Sequence, residues 1–468
     1  MSSKVTFAFD NNPLGVYHAG QVISGTAELT TDRPKTIRSI FITINGYGET
    51  RWQESVEKPG DDGKTKKSME THTTTEIYYS SDKYVYGQSG GSQLELPKGK
   101  FVFPFHTTIP PNAPTSFNGS HGQIKHEVTL TIDRSVRYNN IFKQCFTVIL
   151  PHDLNTKREN AQPLKRIEEK SFWWGSIFGA NKPMVMDVST SYSGYVPGQK
   201  IHFHMVLDNQ SDVQCQDVKV RLLKNVTYRA NSTNKEQLKS TESRIADMHC
   251  GEVVKHNKAQ FDEYLLVPPT TPSTVGERDP IRVSYTLRFI AKTFRFHGGG
   301  DLVVDFPVTI GTLPLLGSGE DKGPGKTASS NGSVNSYPGA PIFQEDVSDE
   351  QFESNTFKPR YPVYTFGQPG NAANGAPAAT PSLYPRAEDT PPVAPLPYAP
   401  NPVTPVAKPT APGPQKIPPY PTNSPAPVSA AAAPGGGHFE VLGFSIPPGY
   451  QPTPSAPGAA SPAGIGWK

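Results

Sequence analysis

Cysteine is scarce in this chain: Cys145, Cys215 and Cys250 are all that its 468 residues contain. Three thiols, odd in number and far apart in sequence, argue against a disulfide framework or a structural zinc site and for reduced thiols. Long hydrophobic runs are also missing. The opening MSSKVTFAFDNN has no apolar core of signal-peptide length, and no stretch approaches the roughly 20 residues that cross a bilayer. We therefore expect a cytoplasmic protein whose Asn-X-Ser/Thr sequences at Asn118, Asn225, Asn231 and Asn331 stay unglycosylated. Strong charge of one sign is lacking too: the formal net charge of +3 does not call for nucleic acid. No Ser-His-Asp arrangement, phosphate-binding glycine loop or paired-carboxylate motif stands out. The expectation is no enzymatic activity, no cofactor and no metal.

Proline is plentiful instead, and unevenly placed. Of the 49 prolines, 31 follow Pro314, in a stretch that also carries AAAAPGGG at 430–437. Such a composition buries too little apolar surface to offset chain entropy, so residues 317–468 are expected to form a disordered tail. Three tokens stand in it: PTAP (Pro409, Thr410, Ala411, Pro412), PPGY (Pro447, Pro448, Tyr450) and PSAP (Pro454, Ser455, Ala456, Pro457). Proline holds φ near the polyproline II value, which displays side chains without a folded support. Two consecutive prolines with a tyrosine two positions on suit the aromatic groove and neighbouring pocket of a WW domain. The P-(T/S)-A-P tokens resemble the motif bound by the ubiquitin-E2-like subunit of ESCRT-I. Composition alone yields about 0.3 PPxY and about 0.1 P-(T/S)-A-P matches, so the doubled token is the stronger signal. The near misses PSLY (381–384), KPRY (358–361) and PPYP (418–421) each break the WW pattern.

Before the tail, apolar residues alternate with period two. Ile40, Ile42 and Ile44 share one face, as do Ile124, Val128, Leu130 and Ile132, with polar residues between them, as half-buried strands require. Phe101, Phe103 and Phe105 keep the same spacing, and Pro104 among them predicts an edge or a bulge. The polar segment 55–75 reads as a loop. A charged bridge covers about 152–180, ending in Phe172, Trp173 and Trp174, which we expect to plug the gap between domains. The pattern then repeats. YHAGQ (17–21) matches YVPGQ (195–199) at an offset of 178 residues, and Ile40, Ile42 and Arg51 fall on Val218, Val220 and Arg229 at the same offset. IPP at 109–111 echoes VPP at 267–269, and IKHEVTL at 124 echoes IRVSYTL at 281. A final strand carries Leu302, Val304, Phe306, Val308 and Ile310 on one face. These features predict an all-β chain of two tandem sandwiches: residues 1–152, a linker at 153–180, a second sandwich at 181–316, and the tail at 317–468.

Several stretches together resemble the arrestin-domain-containing proteins, or α-arrestins: NGYGETRW, SFNGSHGQIKHEV, VILPHDLN, GYVPGQ and FPVTIGTLPL, spread over about 4–316. The resemblance implies two arrestin-type, immunoglobulin-like sandwiches and an adaptor role. In such proteins the tail PPxY recruits WW domains of HECT-type ubiquitin ligases, and the sandwiches engage transmembrane cargo such as receptors and transporters. It implies a cytoplasmic protein recruited to the plasma membrane and endosomes, with peripheral membrane contact. Many relatives carry two PPxY motifs; this chain has one good copy. The alternatives are an ESCRT-I-recruiting adaptor for vesicle budding and a retromer-like structural subunit.

Individual residues have plainer readings. Gly20 and Gly198 suit a tight turn, and Trp52 suits a cap on a core. His202 and His204 fall opposite Ile201 and Phe203, which points to a solvated strand face, and His121 and His126 lack metal-ligating neighbours at the right spacing. Lys219, Arg221 and Lys224 read as a basic outer strand face that aids solubility.

Overall fold

Alternation becomes strand pairing. The computed structural model describes residues 3–59, 65–134, 138–172, 182–232, 235–276, 279–294, 300–318, 339–348, 350–353 and 356–366. The first repeat contains β1 (Ser3–Phe9), β2 (Val16–His18), β3 (Val22–Thr31), β4 (Lys35–Ile37), β5 (Ser39–Pro59) and β6 (Thr65–Gly87). It continues with β7 (Leu94–Leu96), β8 (Gly99–Thr108), β9 (Phe117–Gly119), β10 (Gly122–Asp133) and β11 (Asn140–Ile149). The second contains β12 (Leu164–Lys170), β13 (Met184–Thr190), β14 (Gly194–Tyr195), β15 (Lys200–Asn209) and β16 (Cys215–Ser232). It ends with β17 (Lys235–Val253), β18 (Asn257–Leu266), β19 (Ile281–Thr293) and β20 (Leu302–Ile310). A late hairpin adds β21 (Ile342–Glu345) and β22 (Arg360–Val363).

Each sandwich sets a small sheet against part of a large one. The small sheets run β1-β3-β8 and β12-β13-β15-β18, while one sheet of order β14-β20-β19-β16-β6-β5-β10-β11-β2 passes through both sandwiches. The join is narrow: Asn231 of β16 pairs with Thr73 of β6. Ile40, Ile42 and Ile44 of β5 and Val128, Leu130 and Ile132 of β10 meet Ile23, Leu29, Phe103 and Phe105 across the first core. In the second core Met186, Val188, Phe203 and Met205 meet Val220, Leu287, Val304 and Phe306. Each such side chain contributes about 1.5–3 kcal/mol by leaving water. Pro104 sits where its missing N–H is harmless, on β8 at the edge of its sheet, opposite Thr26.

The internal repeat is reproduced bond for bond. Gly20 N donates to Ile109 O at 3.1 Å and Gly198 N to Val267 O at 2.8 Å; Gln21 N donates to His18 O and Gln199 N to Val196 O, both at 3.1 Å. The glutamine side chains accept from His18 N and Val196 N in turn. Both glycines take positive φ, +90° and +87°, as the tight turns demand.

Four sequence expectations need correction. The described parts of segment 55–75 are not loop: through Pro59 and from Thr65 on, β5 and β6 continue as a polar two-stranded ribbon, with Gln53 opposite Thr71 and Glu57 opposite Lys67. It shows no apolar period because a ribbon beyond the sandwich has no core to face. Nor is all of 153–180 linker, since β12 pairs with β13 from Leu164–Thr190 to Lys170–Met184 and joins the second sandwich. The strand β10 is buried on both faces rather than one. Finally, part of the segment assigned to the tail is built against the sandwiches: residues 339–366 carry β21 and β22, and Phe352, Tyr361 and Tyr364 are buried.

Candidate functional site at the junction of the two sandwiches

Short polar links hold the two sandwiches together. His152 N donates to Thr312 Oγ1 at 2.7 Å, and Thr312 N returns a bond to His152 O at 2.9 Å. His152 Nδ1 lies 3.1 Å from Ser273 O. Asn155 donates to Pro314 O and accepts from Leu316 N, both at 2.9 Å. On the far side Thr50 Oγ1 donates to Arg229 O at 2.7 Å, and Lys239 pairs with Glu54 at 2.9 Å. Trp52 does cap a core, but that of the other sandwich: it packs with Phe117 and Ile124 into the second apolar cluster. Phe172 is buried in the same cluster, beyond the end of β12 where Lys170 pairs with Met184, so it joins the core of the second sandwich rather than plugging the gap between the two; Trp173 and Trp174 lie outside the described residues. A small cleft between the sandwiches is lined by Pro114, Phe117, Ile124, Thr271, Ile281 and Val283.

Residues 339–366 cross this junction as a strap and bond to both sides. On the first sandwich Arg360 N donates to Thr147 Oγ1 at 3.2 Å, and Tyr361 Oη donates to Ser116 O at 2.8 Å. Asn118 accepts from Phe352 N at 3.0 Å and donates to Phe357 O at 3.2 Å, so its side chain is committed to the strap. On the second sandwich Tyr364 N donates to Pro197 O at 2.9 Å, Tyr364 Oη to Thr312 O at 2.7 Å, and Val347 N to Pro269 O at 3.1 Å.

At the centre lies an ion pair. Lys224, with no exposed side-chain surface, places Nζ 3.3 Å from Oδ2 of Asp346 on the strap. The same oxygen accepts from Thr271 Oγ1 at 2.9 Å, a hydroxyl also 2.9 Å from Tyr361 Oη. Phe117 offers its ring 5.8 Å from the ammonium. Burial, and after it the Asp346 carboxylate, push the phenols of Tyr361 and Tyr285 far above the usual tyrosine value, so both remain hydroxyl donors. The reading of Lys224 as a solvated residue is thus overturned. The signal was available in the alternation: Val218, Val220, Leu222, Lys224, Val226 and Tyr228 share one parity, opposite to Lys219 and Arg221, and that parity faces the core. The strap's own signal was a cluster of aromatics, Phe343, Phe352, Phe357, Tyr361, Tyr364 and Phe366, within an otherwise aromatic-poor region.

The reading of His202 and His204 as residues of a solvated strand face holds. The His202 ring lies 5.6 Å from that of Tyr264, tilted by 50°, and His204 Nδ1 lies 2.6 Å from Asp262 on the outer face of β15. His126 is fully enclosed, with Nε2 3.0 Å from Pro114 O and Nδ1 3.0 Å from Tyr79 Oη. The carbonyl must receive a proton, so Nε2 carries it and Nδ1 accepts from the phenol. Burial pushes the thiols of Cys215 and Cys250 up to about 11, which keeps them protonated and unreactive. The tail tokens Pro409–Pro412, Pro447–Tyr450 and Pro454–Pro457 lie outside the described residues. Among the described residues no helix is long and apolar enough to cross a membrane.

Comparison with known proteins agrees with this architecture. A family profile described as "Arrestin (or S-antigen), N-terminal domain" matches residues 5–155, and "Arrestin (or S-antigen), C-terminal domain" matches 180–315. Arrestin domain-containing protein 17 of Caenorhabditis elegans is 25% identical over 322 residues, 65% of this chain and 70% of the relative. Arrestin domain-containing protein 1 of Mus musculus is 27% identical over 332 residues, 70% of this chain and 69% of the relative. With both halves of the family's fold matched in order and its two sandwiches present, the chain belongs to the arrestin family, among the arrestin-domain-containing (α-arrestin) proteins.

Proposed function

We propose that this chain is a non-catalytic adaptor in membrane-protein trafficking: the sandwiches hold transmembrane cargo while PPGY brings in a HECT-type ubiquitin ligase through a WW domain. The observation that carries this reading is the joining, in one chain, of an arrestin pair to a tail with PPGY and two P-(T/S)-A-P tokens. Pro447 and Pro448 fill the aromatic groove and Tyr450 the pocket beside it. Cargo brought to the ligase is ubiquitinated, endocytosed and sorted, with the adaptor moving from the cytoplasm to the plasma membrane and endosomes. The burial of Tyr361 supports PPGY as the working WW ligand, since the competing KPRY sequence is not presented. Capture of HECT ligases from a cell lysate should fall at least about tenfold with Tyr450→Ala, because no second good motif supplies avidity. Equal recovery by wild type and variant would sink the assignment.

The doubled P-(T/S)-A-P token favours a second reading, in which Pro409–Pro412 and Pro454–Pro457 recruit ESCRT-I for budding. Vesicle release that needs those tokens while cargo ubiquitination does not would select it. The spacing gives a further expectation for both readings. Four residues separate Tyr450 from Pro454, roughly 12 Å at about 3.1 Å per residue in polyproline II, which is less than the width of a small domain. Replacing Pro409 and Pro412 by alanine should therefore make ligase and ESCRT-I binding mutually exclusive. Recovery of a ternary complex from that variant contradicts the steric argument.

A further inference from the structure

The second sandwich leaves one flank open. Strand β17 is 19 residues long and pairs with β16 along one edge; among the described residues no strand pairs with its other edge. Strand β18 follows after a short turn and is itself the last strand of the small sheet. Ile245, Ala246, Met248 and Cys250 of β17, with Ala259 and Phe261 of β18, pack against the second core yet stay partly exposed. An unpaired row of backbone N–H and C=O groups beside half-open apolar side chains is a template for another strand.

The outer face of β17 indicates which strand. Leu222 pairs with Ala246 and Leu223 with Arg244, so Ile245 is an extra residue and forms a bulge. Outward side chains are therefore even-numbered before it, Glu242 and Arg244, and odd-numbered after it, Asp247 and His249. Two copies of β17 laid antiparallel about a two-fold axis keep these side chains on a common face when the bulges meet at the axis, Ile245 opposite the partner's Ala246. Arg244 then faces the partner's Asp247, and Glu242 the partner's His249, whose imidazole can donate a hydrogen bond; symmetry supplies each pair twice. A shift of two residues sets Glu242 against the partner's Asp247 in one direction and Arg244 against the partner's His249 in the other, so neighbouring registers are disfavoured.

We propose that the free edge of β17 is a homodimer surface, at which two copies of this chain join their large sheets across a two-fold axis at the Ile245 bulge. Charges of one sign would blunt such an edge against any strand; here the signs alternate, which repels a shifted copy and attracts an aligned one. Within one chain these groups already form surface pairs: Arg244 lies 2.7 Å from Asp247, and Glu242 3.3 Å from Arg288. Dimerisation thus lengthens an exposed charge ladder and buries no lone charge. It also covers the half-open side chains of the flank. The inference stands apart from the adaptor reading; under that reading a dimer brings two PPGY tokens to one ligase, the avidity that a single chain lacks.

Sedimentation velocity of the full chain should show a monomer–dimer equilibrium between roughly 1 and 100 µM, the range of a small and mostly polar interface. Arg244→Asp alone and Asp247→Arg alone each set two like-charge pairs across the axis and should weaken dimerisation at least about tenfold. An equimolar mixture of the two variants has opposite charges at both pairs and should associate nearly as well as wild type. Mixing cannot cure a misfolded chain, so recovery reports the interface. Glu242→Lys mixed with His249→Glu repeats the test at the outer pairs, with residues that can fail or fold independently of the first two. Lys100→Glu is the charge control: it breaks an exposed 2.8 Å pair with Glu28 on the first sandwich and should leave dimerisation unchanged. A wild-type chain that stays monomeric overturns the proposal, and slow amide exchange along β17 in that monomer would assign the edge to a different strand. Failure of both mixtures to exceed their components overturns it as well. So does a Lys100→Glu dimer as weak as that of Arg244→Asp, which would reduce the effect to net charge.

Discussion

Between pH 7 and pH 4 the folded chain should lose about 6 kcal/mol of stability, enough to unfold a protein of ordinary stability. Two enclosed histidines cause this. Burial lowers the pKa of His18 and of His126 from 6.5 to about 4. The unfolded chain takes up these protons as pH falls through 6.5, whereas the folded chain resists until about 4. The stabilisation is thus complete above 6.5 and withdrawn across that window, at about 3 kcal/mol for each histidine. His152, also lowered by burial, adds to the trend, and Asp279, raised by burial, opposes it. His18 is the clearer case because neither of its ring nitrogens has a hydrogen-bond partner among the described residues. Its ring lies 6.4 Å from that of Phe343 on the strap. The second sandwich places the buried Val196 at the equivalent position. His18→Val should therefore remove about half of the acid loss and raise stability at pH 7 by about 1 kcal/mol, since a buried unpaired polar group disappears. Urea denaturation at pH 7.0, 5.5 and 4.5 reads both effects; a midpoint that stays level over this range refutes the argument.

The two turn glycines should respond unequally to the same substitution. At φ of +90° and +87° the backbone penalty of Gly20→Ala and Gly198→Ala is alike, about 1–2 kcal/mol. Their surroundings differ. A methyl group at Gly20 would find its nearest neighbour, Pro111, at 3.9 Å, whereas one at Gly198 would stand 2.0 Å from the carbonyl oxygen of Tyr364. The strap must then move off, and Tyr364 loses its burial and its bonds to Pro197 and Thr312. Gly198→Ala should cost about 3 kcal/mol more than Gly20→Ala. It should also expose Tyr361 and Tyr364 to proteolysis, where Gly20→Ala leaves them protected. Thermal unfolding with limited chymotrypsin digestion distinguishes the two; equal costs with intact protection would mean that the strap does not press on Gly198.

Which features could be read in advance follows from the range of the interactions behind them. The faces of β5, β15 and β20 were legible because a strand's inward residues recur every second position whatever they pack against. The repeat was legible because equivalent turns need equivalent residues, as YHAGQ and YVPGQ demonstrate. The ribbon of β5 and β6 was not: its cross-strand pairs are polar and leave no period in hydrophobicity. Strand β12 was missed for a related reason, since a charged segment at a sheet edge shows its character only through its neighbour β13. Lys224 lay between these cases, with its parity in plain sight and its counter-charge 122 residues away.

By itself the sequence determined the all-β class, the tandem repeat and the turns, and it displayed the proline tokens, because all of these are properties of residues near one another in the chain. Only the tertiary structure decided that one sheet passes through both sandwiches, that Trp52 serves the core of its neighbour, and that Asp346 and Tyr361 close the junction. Burial of a polar side chain becomes favourable only where distant segments bring its partner, and no local pattern records which segment that will be.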